Sequence, residues 1–502
     1  MVAAAEDLKT QLKVGLEIHV ELATKTKMWT SAPNVAHPDH YEAEPNSLVD
    51  PIVIGMPGVL PVMNEEAVNM SIKVGLALGC EIADWCKWDR KSYYYPDLPK
   101  NYQISQYELP LCGEGAVDVP LTDDPESELQ TVRITRAHLE EDAGKLLHEA
   151  PGGHKIDYSI VDLNRAGTPL LEIVTEPDFQ TAEHVVMFGQ TLRNICRFLG
   201  VTEGVMQRGH MRFEPNINVI IEKDGQEYAT PVVEIKNLNS FKAVYNAIEY
   251  EHERQVEQWL QDGKVMGRGV KSTRGWDDDR GITFLQREKE DAHDYRYFPD
   301  PDLCPVEVDS EWLESIRKEI PELPLQRIQR YTDEYNLNIK DARALTDERD
   351  VCLFYESVLA AGVDGKRAAT ILLNNLGKRA NEQGCLINEL GITPDQIHAI
   401  ESMVNGNTIS SNAADKLFGL CCDDPQADPE ELAKSEGLIQ VSDDSALDGW
   451  IDEAIAGNAK AVEAIKAGKM NAIGSLVGAV MKLSKGQANP KIVNQKLREK
   501  LA

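Results

Sequence analysis

Apolar and polar residues alternate without a break over residues 13–22. Val14, Leu16, Ile18, Val20 and Leu22 fall on one face, while Gly15, Glu17, His19 and Glu21 fall on the other. This is the pattern of a strand with one apolar and one polar side. β-branched runs bounded by turn residues predict further strands at 131–139, 170–175, 217–221 and 232–238. Apolar positions spaced by three and four predict helices over 65–78, 182–199 and 240–261. Pro299, Pro301 and Pro305 then punctuate the chain and predict a boundary near residue 300. Beyond it helix formers dominate, and a polar, acidic break at 422–431 sets off a last group of helices. The expected architecture is an α+β N-terminal domain (1–300), an all-α helical linker (301–428) and a small all-α tail domain (429–502).

A length of 502 residues fits several cores better than one. The chain is 42% hydrophobic and 27% charged, which is the composition of a globular protein. No apolar run approaches the roughly 20 residues that span a membrane. The first residues lack the basic start and apolar stretch of a signal peptide, so a cytoplasmic location is expected. Nine cysteines, none in a C-x-x-C pair, suit reduced thiols rather than disulfides or a zinc ribbon.

The net charge of −31 argues against a nucleic-acid partner, because phosphate binding is driven by Lys and Arg. Its distribution changes that picture. Residues 466–502 carry seven Lys and one Arg against the single acid Glu499, whereas the stretch before them holds Asp423, Asp424, Glu430, Glu431, Asp443 and Asp444. A local basic patch can still meet RNA.

Candidate chemistry gathers in the N-terminal half. Glu17, His19 and Glu21 share a strand face, which by itself is equally the wet face of an antiparallel sheet. Glu172 stands alone in Leu170-Leu171-Glu172-Ile173-Val174, a segment apolar on both sides. An unpaired buried carboxylate costs on the order of several kcal/mol, so Glu172 needs a cation, a donor or a proton. A structural ion pair meets that need as well as a functional site does. His138-Leu139-Glu140-Glu141-Asp142 ends another predicted strand. Three acidic clusters on separate strands are what an oxygen-ligated magnesium ion requires, and His19 is a poorer ligand for it. Asp89-Arg90-Lys91-Ser92-Tyr93-Tyr94-Tyr95 and Lys100 interleave cations with aromatics, a mixture that binds phosphates and stacks bases. Glu234 and Lys236 share a strand face that is either a polar pocket lining or an exposed edge. No phosphate-binding loop of the G-x-x-x-x-G-K-[ST] type is present, and Gly267-Arg268-Gly269-Val270-Lys271-Ser272 has the wrong spacing. No G-x-S-x-G motif and no recognisable cysteine nucleophile occur. A reaction that consumes ammonia would need another chain to release it.

Taken in order, these segments resemble the blocks of the B-subunit family of the glutamyl/aspartyl-tRNA amidotransferases. The resemblance is carried by Gly15-Leu16-Glu17-Ile18-His19-Val20-Glu21, Met56-Pro57-Gly58-Val59-Leu60-Pro61-Val62, the 89–107 region, and His138 to Lys145. It continues through Asp162-Leu163-Asn164-Arg165-Ala166-Gly167-Thr168-Pro169 with the Glu172 strand, Glu234-Ile235-Lys236-Asn237, and Asp294-Tyr295-Arg296-Tyr297-Phe298-Pro299-Asp300. Lys485-Gly486-Gln487-Ala488-Asn489-Pro490 closes it. It implies a cradle-shaped N-terminal domain and a helical tail similar to the YqeY proteins. It further implies a ligase of translation that works with an amidase A subunit, a small C subunit, ATP and Mg2+. Its substrate would be mischarged Glu-tRNA(Gln) or Asp-tRNA(Asn).

The residues that the resemblance places around magnesium as catalytic groups are Glu17, His19, Glu141 and Glu172. Arg90, Lys91, Lys100 and Lys236 would bind phosphate or substrate, and the tail would grip tRNA. Many members carry C-x-C and C-x-x-C before the Pro-Gly-Val-Leu-Pro block. Here Thr30-Ser31-Ala32 and Asp50-Pro51-Ile52-Val53 stand there, so no zinc is expected. The competing expectations are a tRNA-binding scaffold without catalysis and a free-standing carboxylate kinase.

Overall fold

The structure, a computed structural model, describes residues 8–124, 126–150, 153–267, 269–288, 295–440, 444–466, 470–484 and 487–501. Of the residues singled out above, Arg268, Asp294, Asp443, Lys469, Lys485 and Gly486 lie outside these, as does the start of the chain. The chain forms two compact units, Met1–Pro324 and Leu325–Ala502. No described helix is long and apolar enough to cross a membrane.

The strands of the first unit are, in order, β1 (Lys9–Glu21), β2 (Trp85–Cys86), β3 (Asp89–Ser92), β4 (Tyr102–Ser105), β5 (Gly115–Pro120) and β6 (Leu129–Glu141). Next come β7 (Lys145–Ala150), β8 (His154–Asp162), β9 (Pro169–Thr175), β10 (Met211–Lys223) and β11 (Gln226–Ala229). The last are β12 (Val233–Lys236), β13 (Ser272–Asp277), β14 (Ile282–Glu288), β15 (Phe298–Pro299) and β16 (Val306–Glu307). Its helices are α1 (Glu65–Ala77), α2 (Ala182–Phe198), α3 (Phe241–Asp262) and α4 (Ser310–Glu319). The mixed α and β content matches the expected α+β class.

The main sheet runs β14-β13-β12-β10-β1-β9-β6-β5, with β11 added beside β10. All its neighbours are antiparallel except β12 and β13. β1 lies in the middle of this order, and the alternation that predicted it also fixes its register. Val14, Leu16, Ile18, Val20 and Leu22 are fully buried on one face. A slip of one residue would exchange them with Glu17, His19 and Glu21, which burial forbids. The apolar face is covered by helices that open on hydrogen-bonded caps. Thr181 accepts from His184 N at the start of α2, and Ser240 from Ala243 N at the start of α3. Val185, Phe188, Leu192 and Ile195 of α2 and Val244, Ala247 and Ile248 of α3 join the strand side chains in one core. Gly189 lets the two helices close up, since a Cβ there would sit 2.6 Å from Phe241 Cε1.

The opposite face of the sheet is polar. A second sheet, β15-β3-β4, meets the main sheet at β6, where Gln103 and Ser105 of β4 donate to Glu140. The first unit continues past the expected boundary near residue 300. Pro299 lies in β15, and α4 is tied to α1 by Trp312 Nε1 donating to Asn69 Oδ1 (2.8 Å) and by Lys73 to Glu319 (2.8 Å).

In the second unit every described element of regular structure is helical, from Pro324–Tyr335 to Pro490–Leu501. Its last helices share a core of their own, with Leu447, Ile451, Leu476, Val480, Val493 and Leu497 at the centre.

Candidate active site

Strand register assembles the site. His19 of β1 stands opposite Arg212 of β10 on one side and opposite Glu172 of β9 on the other. Glu172 in turn stands opposite His138 of β6. One row across four strands therefore reads Arg212, His19, Glu172, His138, all on the polar face. Glu140, two residues beyond His138, shares that face because successive side chains alternate. His19 Nε2 lies 3.5 Å and His138 Nε2 3.6 Å from Glu172 Oε2, and His138 Nε2 lies 3.4 Å from Glu140 Oε1. Ser105 Oγ donates to Glu140 Oε1 (2.6 Å) and Gln103 Nε2 to Glu140 Oε2 (2.8 Å). Lys91 Nζ is 3.8 Å from Glu140 Oε1.

The electrostatics keep this cluster ionised. Burial opposes the charge on Glu140, but Lys91 and His138 outweigh it and hold the carboxyl at about 2. Burial likewise opposes charge on Glu172, and His138 and His19 pull it well below the usual carboxylate range. Lys91 is raised despite its burial because Glu140 faces it. Against burial, and against the repulsion of Arg212, Glu172 and Glu214 raise His19. A proton on His19 or Lys91 thus stabilises carboxylates that would otherwise be costly to bury.

One ligand atom from each of His19, Glu140 and Glu172 lies within 4.8 Å of the others, which makes them a group able to hold a metal ion. Two ionised carboxylates suit a hard divalent cation such as magnesium. His19 supplies nitrogen, which such a cation takes less readily than oxygen. His19 Nδ1 and His138 Nδ1 are buried without a hydrogen-bond partner among the described residues. The donor set fits the group.

The residues expected from the sequence divide. His19, Glu172 and Lys91 meet at this cluster, and Glu17, Glu141, Arg90, Lys100 and Lys236 take other partners. Glu17 shares the face of His19 but stands opposite Glu214 and accepts from Asn216 Nδ2 (3.1 Å). Glu141 leaves β6 on the other side, where Lys100 Nζ and Ile104 N (3.0 Å) donate to it. Arg90 is held by Asp300 (2.7 Å) and Asp302 (2.8 Å) and lies over the ring of Tyr102. Lys236 bridges Glu214 and Glu234 (3.0 Å). Glu140 and His138 belong to the 138–142 cluster expected near a metal, but the resemblance singles out Glu141 from it instead, although Ala137 and Leu139 on the core side signal which face Glu140 and His138 take. At Thr30 and Asp50, Thr30 Oγ1 donates to Asp50, whose Oδ1 accepts from Ile52 N and Val53 N (2.9 Å each).

Beside the cluster a second carboxylate, the buried Asp142, is paired with half-buried arginines. Arg212 donates to Asp142, and Arg165 stands 3.6 Å from the same carboxylate. Burial and the charge of Asp142 push Glu21 up to about 8, which favours its protonated form.

His210, close to this pair in sequence, is 3% exposed and pushed down to about 4 by burial, with Arg208 adding to the effect. Its folded-state value lies below the unfolded one, so the fold accommodates the neutral ring. That contribution is complete above pH 6.5 and is lost as the pH falls from there towards 4. The wild-type melting temperature should therefore drop further between about pH 7 and about pH 5 than that of His210→Phe, as calorimetry would record. Equal drops would show that His210 does not contribute.

The family model for the GatB/GatE catalytic domain matches residues 12–314, and that for the GatB domain matches residues 353–501. The chain belongs to the B-subunit family of the aspartyl/glutamyl-tRNA amidotransferases. It is 44% identical over 490 residues to the B subunit of the aspartyl/glutamyl-tRNA(Asn/Gln) amidotransferase of Carboxydothermus hydrogenoformans, covering 97% of this chain and 98% of that one. The protein of the same name from Halorhodospira halophila is 44% identical, with 98% and 99% covered. That from Thermosynechococcus vestitus is 42% identical, with 99% and 97% covered. The resemblance read from the motifs is thereby confirmed along nearly the whole chain, and the protein is one component of an amidotransferase of this family. His19, Glu140 and Glu172 all lie inside the segment matched as the catalytic domain.

Proposed function

We propose that the chain carries the ATP-dependent step of tRNA amidation: phosphorylation of the side-chain carboxylate of Glu-tRNA(Gln) or Asp-tRNA(Asn), followed by displacement of phosphate by ammonia. The observation that carries this reading is the cluster of His19 with the ionised Glu140 and Glu172, with Lys91 beside it. Phosphoryl transfer asks little covalent chemistry of a protein and much positioning and charge neutralisation. Glu140 and Glu172 would hold a magnesium ion, with His19 at its side, and the bound ion would neutralise phosphate charge. Lys91 binds a phosphate oxygen. Gln103 and Ser105 fix the Glu140 carboxylate, and His138 spans the gap between Glu140 and Glu172.

The substrate carboxylate oxygen attacks the γ-phosphorus and ADP leaves. Ammonia then adds to the acyl carbon and inorganic phosphate leaves. No serine or cysteine nucleophile able to release ammonia from glutamine is recognisable in the sequence. An amidase A subunit would therefore supply it, with a small C subunit completing a heterotrimer in the cytoplasm. Reconstitution with such partners, ATP, magnesium and each mischarged tRNA should yield Gln-tRNA or Asn-tRNA with matching release of ADP. Failure of both tRNAs to be amidated would sink this reading. Amidation without ADP release would remove the phosphorylated intermediate.

The helical tail is proposed to hold the body of the tRNA. On its last helix, Lys500 is partly engaged by Asp448 (3.4 Å) and Asp452 (2.7 Å), while Lys491 and Arg498 line an open groove with Asn494 and Gln495. Ending the chain after about residue 430 should raise the KM for tRNA by about tenfold or more, the scale of losing a few phosphate contacts. The kcat should change less. An unmoved KM would show that the tail is not the grip.

A further inference from the structure

The rim of the site carries aromatic rings that neither the metal cluster nor Lys91 requires. Tyr107 and Tyr297 stack with centroids 4.2 Å apart and planes 12° apart. Tyr107 is 41% exposed although it is large and aromatic. Its backbone is held from behind, since Tyr107 N donates to Asp89 Oδ2 (3.2 Å) and Arg136 Nη1 donates to its carbonyl (2.8 Å).

From Tyr297 the rings lead inward. Tyr295 lies 6.2 Å from Tyr297, and Lys91 Nζ sits 5.3 Å over the Tyr295 ring. Lys91 is the cation that faces Glu140. The 295–302 segment is pinned where it crosses β3, because Arg90 binds both Asp300 and Asp302 and Phe298 pairs with Arg90 in the sheet. An exposed ring with its backbone held, joined through two further rings to the cation proposed to bind phosphate, suits the way proteins stack a base without reading its hydrogen-bonding edge.

We propose that Tyr107, backed by Tyr297, is a platform on which an adenine ring stacks while the phosphates or the aminoacyl end reach Lys91 and the carboxylates. Two adenines belong to the substrates assigned above: that of ATP and the 3′-terminal adenosine of tRNA. Both present the same flat purine face. This inference rests on the reaction proposed for the site and adds a residue contact to it.

The test uses the complex with its partner subunits and measures the KM for ATP and the KM for mischarged tRNA separately. Tyr107→Ala should raise one of them by about 5- to 100-fold, the range for loss of one stacked base. The kcat should move less, and Tyr107→Phe, which keeps the ring, should restore the affinity. A rise confined to ATP assigns the adenine of ATP, and a rise confined to tRNA assigns its terminal adenosine. Tyr245→Ala removes an exposed tyrosine from α3, on the far side of the sheet, and should leave both values unmoved. If Tyr107→Ala fails to fold, Tyr297→Leu removes the backing ring and makes the same test. Unchanged KM values, no rescue by phenylalanine, or an equal rise in Tyr245→Ala would each overturn the platform. Calorimetric titration of the complex with ATP alone keeps this inference apart from the reaction itself. ATP binding that depends on Tyr107 in a complex that cannot amidate would leave the platform standing and remove the proposed reaction.

Discussion

Glu172→Ala is expected to abolish amide formation on mischarged tRNA, by about three orders of magnitude or more, the upper scale for losing a preorganised charge at a transition state. Glu172 is the side chain in which the row across the sheet converges, with His19 at 3.5 Å and His138 at 3.6 Å. Removing it takes away one of the two carboxylates proposed to hold a cation. It also leaves His138 and Lys91 facing Glu140 alone, and His19 with the weaker influence of Glu214. Glutamine hydrolysis by the proposed partner amidase should remain measurable, because that chemistry is assigned above to another chain. Glu172→Gln keeps the shape and removes only the charge, so it separates lost packing from lost function. Its melting temperature should fall less than that of Glu172→Ala while its activity falls as far. Full amidation by either variant would remove Glu172 from the site.

The parts of the site that could be read from the sequence are those where local pattern and burial agree. β1 was legible because ten consecutive residues alternate, and Glu172 because a single charge interrupts an apolar strand. The helices were legible from spacing, and their observed bounds, such as Ala182–Phe198 for α2, fall within a residue or two of expectation. β10 was seen only in part, from 217, because Pro215 argues against a strand. It nonetheless sits within β10 opposite Leu16. Leu16 N donates instead to Thr175 Oγ1 on the β9 side (2.9 Å), so this residue pair exchanges no hydrogen bonds across to β10 and the missing N–H of Pro215 is not called on there.

The cations were harder. Arg90 and Lys91 look alike in sequence, yet one is consumed by Asp300 and Asp302, more than 200 positions away, and the other faces Glu140. Pairing at such separation leaves no local trace. The aromatic rim has the same origin, since Tyr107 and Tyr297 meet only because β15 pairs with β3.

Three acids in a row, Glu140, Glu141 and Asp142, pose the remaining choice, and here the strand face decides. Glu140 is turned towards His19 and Glu172, whereas Glu141 is occupied by Lys100 and Ile104 N. The two glutamates should therefore separate in a titration of magnesium against ATP cleavage by the reconstituted complex. Glu140→Gln should raise the magnesium concentration for half-maximal cleavage by about 10- to 100-fold or more, since even groups that only orient a metal ligand are worth that much. Glu141→Gln should shift it by less than about threefold, a change below 1 kcal/mol, whatever it does to the overall rate through Lys100. Manganese, which accepts nitrogen more readily than magnesium, should recover part of the Glu140→Gln loss through His19. If Glu141→Gln shifts the metal requirement and Glu140→Gln does not, the ion lies on the other side of β6, and the cluster formed by His19, Glu140 and Glu172 is an ion-pair network that holds β1, β9 and β6 together.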